Sequence, residues 1–261
     1  MTDCKIIQGD CLEVMKTLEA ESVDMILTDP PYMISKEAKI ARSRNPLKRR
    51  MKYQGKDISM MFGDWDIFET EDQYWEFIYA ALEQFKRILK TGGHMLMSFD
   101  KFKITPLVEW CRKNDFIARQ PLWWLKSNPV PMARKVSFMN AHELIFWATK
   151  HTTSRTASTF HYELGQHPDY FIHCIPPKKS KSDGIRQHPC QKPVKLMEWL
   201  ISYLSNENDT ILDPFAGSGT TGVAALNLGR KCILIEKSPQ YYNVIIQRIK
   251  FIQSQTNLNN I

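Results

Sequence analysis

A chain of 261 residues, 43% hydrophobic and 24% charged, has the composition of an ordinary globular protein and the length to bury a large core without disulfide or metal staples. No stretch approaches the roughly 20 apolar residues of a membrane span. The six scattered cysteines include no C-x-x-C pair, so they read as reduced thiols rather than a disulfide framework. The formal net charge of +7 favours a polyanionic partner, and with no membrane span or leader pattern the expected location is the cytoplasm.

The elements alternate strand and helix, the order of an α/β fold doubly wound about a mostly parallel sheet. Lys5–Gln8 reads as a short strand, and Cys11–Leu18 as a helix with Leu12, Met15 and Leu18 on one face. Val23–Thr28 is an apolar run suited to a buried parallel strand. From Lys36 to Lys56 nine lysines and arginines face one acid, the pattern of a solvated loop or of a DNA contact. Its candidate contacts are Lys39, Arg42, Arg44, Lys48, Arg49, Arg50 and Lys52. Gln73–Leu89 has helical spacing, with Gly92-Gly93 as its expected stop, and His94–Phe99 follows as a strand. Thr105-Pro106 has the form of an N-cap opening a helix toward Asn114.

Two more strands are expected at Pro121–Lys126 and His142–Thr149. At least one residue of the pair Trp123-Trp124 should face the core, because alternate strand residues point opposite ways. Residues 150–188 break the rhythm and carry five of the seven histidines, as an inserted recognition segment would. A helix at Pro193–Leu204, a strand at Thr210–Leu212, a helix at Thr220–Leu228 and a strand at Cys232–Glu236 restore the order. Ser238-Pro239 then opens a last helix carrying Tyr242, Ile245, Ile249 and Ile252.

Two motifs carry chemistry. Ile211–Gly222 reads ILDPFAGSGTTG, a glycine turn between strand and helix that satisfies G-x-G-x-x-G at Gly217, Gly219 and Gly222. Glu236 ends the following strand. Glycines admit a ligand close to the backbone, a helix N-terminus attracts an anion, and an acid on the next strand binds ribose hydroxyls. That pattern suits NAD, and an oxidoreductase, as well as S-adenosylmethionine. The second motif, Asp29-Pro30-Pro31-Tyr32, follows the apolar strand at its carboxyl end. An exocyclic base amine is a poor nucleophile because its lone pair is delocalised into the ring. A carboxylate and a proline-fixed carbonyl that accept its two hydrogens would free that pair. An aromatic neighbour can stack on a base removed from its helix, worth about 1–3 kcal/mol.

TDPPY together with DPFAGSGTTG resembles the amino-methylating DNA methyltransferases, and the order of the two motifs looks like their β class. GDCLEVMKTL at Gly9–Leu18 and HPCQKPVKLMEWLI at His188–Ile201 are similar to further motifs of that family, as is the stretch Asn128–Lys150. The resemblance implies a circularly permuted methyltransferase fold with residues 1–149 as the catalytic half, 150–188 as a target-recognition insert and 189–261 as the cofactor-binding half. It implies S-adenosylmethionine as cofactor, no metal, and DNA as substrate. Asp29, Pro30, Pro31 and Tyr32 would hold the base. Asp213, Phe215, Gly217 and Gly219 would wrap the methionine portion, Thr220 and Lys192 would lie near its carboxylate, and Glu236 and Asp10 would take ribose and adenine. Arg134 and Lys135 join the DNA contacts. In this family DPPY usually accompanies N6-adenine and SPPY N4-cytosine, so N6-adenine is the expected target. A homodimer and a cognate restriction endonuclease are the partners the resemblance suggests. Pro189-Cys190-Gln191 spells the tripeptide of C5-cytosine methyltransferases. It opens the HP-x-QKP motif instead of following the catalytic strand, which argues against a nucleophilic Cys190.

Overall fold

The computed structural model describes residues 3–33, 66, 68–130, 138–151, 158–176 and 191–258. The chain divides into two compact units, Met1–Pro30 with Tyr79–Ile261, and Pro31–Ile78. The larger unit is built on one sheet. Its first strands are β1 (Cys4–Gln8) and β2 (Val23–Thr28), separated by the short helix α1 (Cys11–Lys16). Helix α2 (Glu71–Ile88) begins in the smaller unit and ends in the larger, leading into β3 (Leu89–Phe99). Then come α3 (Ile104–Lys113), β4 (Phe116–Ala118), β5 (Leu122–Lys126), β6 (His142–Lys150) and β7 (Tyr170–His173). The chain closes with α4 (Val194–Leu204), β8 (Thr210–Asp213), α5 (Thr220–Asn227), β9 (Lys231–Glu236) and α6 (Pro239–Leu258).

Among the described residues the strands run in the order β1-β9-β8-β2-β3-β6-β5-β7, with β4 paired to β6. The pairs from β1 through β3 are all parallel, while β6 runs antiparallel to β3, β4 and β5. Five of the six side chains of β2 are buried, as a central parallel strand covered on both faces requires. The core joins Met25, Leu27, Leu96, Ile211 and Leu234 of the sheet to Leu196 and Leu200 of α4, Val223 and Ala224 of α5, and Ile245 and Ile249 of α6. Helix α5 packs closely because its inner residues are small. A Cβ on Gly222 would lie 2.5 Å from Leu234 Cδ1.

Three elements differ from the sequence reading. Gly92-Gly93 lies inside β3 instead of stopping α2 at a loop. The β2–β3 register shifts between the pairs Val23–Leu89 and Met25–His94, and the glycines sit in that irregularity. Gly92 takes φ +82°, which other residues rarely adopt, and a Cβ on Gly93 would meet Asp24 O at 2.7 Å. Thr105 does not cap α3, whose N-cap is Lys103 with no side-chain hydrogen bond. The segment read as an insert supplies β7, which pairs parallel with β5 and extends the main sheet. Trp124 is buried and donates Nε1–H to His173 O at 3.0 Å, whereas Trp123 is only partly buried and meets the His142 ring edge-on.

Candidate active site

Strands β1, β9, β8 and β2 are parallel neighbours, so their carboxyl ends share one edge of the sheet, the edge where α/β proteins bind ligands. Each ends in or beside an acid: Asp10, Glu236, Asp213 and Asp29. These acids lie up to 226 positions apart in sequence and are gathered only by the strand order.

Asp10 is the N-cap of α1. Its Oδ1 accepts Leu12 N–H at 3.0 Å and its Oδ2 takes the Lys237 ammonium at 3.0 Å. Partial burial pulls the carboxyl up, but Lys237 and the helix-start N–H groups outweigh it and hold the group below the usual aspartate range. Gln8 and Glu236 are register partners, and Gly9 N–H donates to Glu236 O at 3.1 Å, so Asp10 and Glu236 stand side by side.

Glu236 holds the glycine turn. Its Oε2 accepts Gly217 N–H and its Oε1 accepts Ser238 N–H, both at 2.8 Å. Burial keeps its carboxyl above the ordinary glutamate value despite these donors. A carboxylate offers about four lone-pair sites, so each oxygen retains capacity for a ligand hydroxyl. Gly217 and Gly219 take φ +53° and +76°, and Gly219 is the N-cap of α5. This combination of a left-handed glycine turn, a helix start and an acid with acceptor capacity fits a nucleoside cofactor with an amino-acid tail. Thr220 is buried at that helix start, and Phe215 is partly buried just before the turn.

Asp213 lies beneath the turn, fully enclosed. Its Oδ1 accepts Thr28 Oγ1–H at 2.6 Å and Phe215 N–H at 3.1 Å. Burial, opposed by these donors and reinforced by the Asp29 charge, raises its pKa to about 6. A folded-state value above the ordinary 3.8 means that its contribution to stability is fully present below pH 3.8 and is lost as pH rises through about 6. The ionised form therefore costs about 3 kcal/mol at pH 8. Asp213→Asn is expected to raise Tm by several degrees at pH 8 and to leave it unchanged below pH 4, as read by thermal melting at the two pH values. An equal shift at both would show that Asp213 does not titrate in this window.

At the end of β2, Asp29 Oδ2 accepts a hydrogen bond from Lys192 Nζ at 2.6 Å. Lys192, only 7% exposed, also contacts Glu143 Oε2 at 3.1 Å, and Glu143 Oε1 contacts Lys126 Nζ at 2.7 Å. Burial alone would raise Glu143, but Lys192 and Lys126 hold it below the usual glutamate range. Lys192 thus sits with its ammonium on Asp29. Pro30 and Pro31 are buried. In the smaller unit, Asp66 Oδ1 accepts the backbone N–H groups of Tyr32 at 2.8 Å and Met33 at 2.7 Å, and so fixes the end of the DPPY turn where Met33 takes φ +57°.

The sequence reading missed Asp66, Glu143, Lys126 and Arg248. Arg248 on α6 is 2% exposed, and its Nη1 donates to Ser218 O at 2.5 Å and Thr220 Oγ1 at 3.3 Å, bracing the glycine turn from below. One signal was available for it: a charged residue one position before Ile249 on a face that carries Ile245. Lys39, Arg42, Arg44, Lys48, Arg49, Arg50, Lys52, Arg134, Lys135 and Cys190 lie outside the described residues.

The family model for DNA methylases of the N6/N4 type matches residues 23–248, which takes in both the DPPY strand and the glycine turn. The chain belongs to the DNA methylase family. The methylase is 33% identical over 263 residues to the type II methyltransferase M.HinfI of Haemophilus influenzae, covering 97% of this chain and 70% of that one. It is 30% identical over 248 residues to the type II methyltransferase M2.MboI of Moraxella bovis, with 93% and 86% covered. Among solved structures, the methylase resembles the M1.HpyAVI–SAM complex with a TM-score of 0.69 at 23% identity, covering 94% of this chain and 98% of that one. It matches the cytosine-N4-specific PvuII DNA methyltransferase with a TM-score of 0.69 at 21% identity, covering 98% and 92%. Both have the same α/β methyltransferase fold.

Proposed function

We propose that the methylase transfers a methyl group from S-adenosylmethionine to the N6 amino group of adenine at a specific DNA site, after the base is turned out of the helix. The observation that carries this reading is Asp29, an aspartate at the carboxyl end of β2 with one oxygen on Lys192. Position 29 holds aspartate and not serine, the choice that in this family usually accompanies adenine.

Asp10 and Glu236, side by side, would take the adenine and ribose of the cofactor, and Gly217, Gly219, Phe215 and Thr220 would hold its amino-acid tail. S-adenosylmethionine supplies a methyl group on a sulfonium sulfur, which leaves as a neutral thioether when an amine lone pair attacks. The residues of this chain make that lone pair available. The Asp29 carboxylate, anchored by Lys192, would accept one amine hydrogen, and the Pro30 carbonyl would accept the other. The nitrogen is thereby drawn toward tetrahedral geometry, and Asp29 is at hand when it sheds a proton after transfer. Tyr32, tied through its backbone to Asp66, gives the flipped base a stacking surface. The basic residues from Lys39 to Lys52, with Arg134 and Lys135, supply phosphate contacts. A modification role beside a cognate endonuclease, a homodimeric state and a cytoplasmic location go with this reading.

Incubating unmethylated DNA with labelled S-adenosylmethionine and analysing the product nucleosides tests the base directly. N6-methyladenine is the expected product. N4-methylcytosine would overturn the adenine assignment while keeping the amine chemistry.

A further inference from the structure

Glu143 and Lys126, the charges behind Lys192, have no part in the chemistry described so far. Lys126 ends β5 and Glu143 lies near the start of β6, which runs antiparallel to it, so the sheet brings both to the edge that carries Asp29. Lys192 comes from the segment before α4. The four groups form a line: Lys126 to Glu143 at 2.7 Å, Glu143 to Lys192 at 3.1 Å, Lys192 to Asp29 at 2.6 Å. Their charges alternate and sum to zero.

We infer that Glu143 and Lys126 are positioning residues that set how firmly Lys192 holds Asp29, and so how well Asp29 accepts a hydrogen from the target amine. This rests on the reading of Asp29 given above. The Lys192 ammonium is pulled from two sides. Without Glu143 it closes on Asp29 and competes with the amine for the carboxylate. Without Lys126 the uncompensated Glu143 draws it away, leaving Asp29 less anchored and more basic. Among the described residues, the other ionisable groups beside this line are Asp213 next to Asp29, and His142 with Lys101 next to Glu143 and Lys126. All are present in every variant below.

Opposite pulls predict opposite shifts, which a merely structural role would not give. The full chain is assayed with unmethylated DNA and saturating S-adenosylmethionine across pH, beside cofactor affinity and melting. Glu143→Gln should lower kcat by about tenfold to a hundredfold, the scale of a small misplacement at the reacting group. It should also move the acid limb of the rate profile to lower pH. Lys126→Met should lower kcat and move that limb to higher pH, and Lys126→Arg should restore both. Cofactor affinity should stay within about threefold in all three, well under the tenfold that 1.4 kcal/mol represents. Should Glu143→Gln fail to fold, Glu143→Asp serves, with a smaller shift of the same sign. Unchanged kcat and acid limb in both charge-removing variants, or limbs that move the same way, would overturn the inference. Asp29→Asn separates the two levels: if it retains full activity, the reading of Asp29 fails whatever the other variants do.

Discussion

Asp29→Ala is expected to reduce methyl transfer by about a thousandfold or more, the scale of losing a positioned acceptor at a reacting centre. Cofactor affinity should remain within a few-fold of the parent, because Asp10, Glu236 and the glycine turn are held by their own hydrogen bonds. Glu236 binds Gly217 and Ser238, and Asp10 binds Leu12 and Lys237. Asp29 shares none of these bonds. Its bonded partner, Lys192, keeps Glu143 in the variant, so the buried ammonium is not left without a counter-charge. Single-turnover rates together with calorimetric titration of S-adenosylmethionine check both halves. A variant that transfers at the parent rate would remove Asp29 from the chemistry. One that loses affinity in step with rate would make Asp29 a cofactor ligand.

Much of this site is legible in the sequence, because its chemistry is written in local motifs. DPPY and the glycine turn each lie within a dozen residues, and each follows an apolar run whose burial on both faces marks a central strand. The strand Val23–Thr28 was expected with the bounds it has, and the helix starts at Cys11 and Thr220 likewise. Where the reading went astray, a local signal had two physical meanings. Gly92-Gly93 is a helix stop in isolation, but at the irregularity of β3 it supplies a positive φ and a close approach to Asp24. Tyr170–His173 shows alternating exposure and lies next to polar sequence, so nothing local distinguishes an edge strand from a loop. Its pairing with β5 decides.

The support around the site was hidden for a different reason. Lys192 and Asp29 are 163 residues apart, and Lys126 and Glu143 are ordinary strand-end charges until the antiparallel β5–β6 pairing places them together. Arg248 reaches the turn from 30 residues downstream. Such bonds depend on strand order and helix rotation, which no spacing rule within one element encodes. Motifs therefore marked the groups proposed to touch ligands, while the groups bonded behind them emerged only from the fold.

Gly219→Val is expected to lower cofactor affinity by about a hundredfold, equivalent to about 2.7 kcal/mol, and to lower Tm as well. Two separate strains meet at this position. Gly219 takes φ +76°, where a β-branched side chain is disfavoured by about 1–3 kcal/mol. A Cβ there would also lie 3.1 Å from Ile245 Cγ2 on α6, so either Ile245 or the start of α5 would have to give. A shift of the strained glycine turn would carry Gly217 and Thr220 with it, and through Gly217 the bond to Glu236. Stability loss alone does not identify a pocket, so Gly222→Ala provides the comparison. Its Cβ would collide with Leu234 at 2.5 Å beneath the helix, on the side facing the core. Gly222→Ala should lower Tm with affinity nearly intact at a temperature well below melting, whereas Gly219→Val should lose both. If Gly219→Val binds S-adenosylmethionine normally once folded, the glycine turn is a packing device and the cofactor tail lies elsewhere along the carboxyl edge. If both variants lose affinity together, binding depends on the whole helix start, and Gly219 has no special place within it.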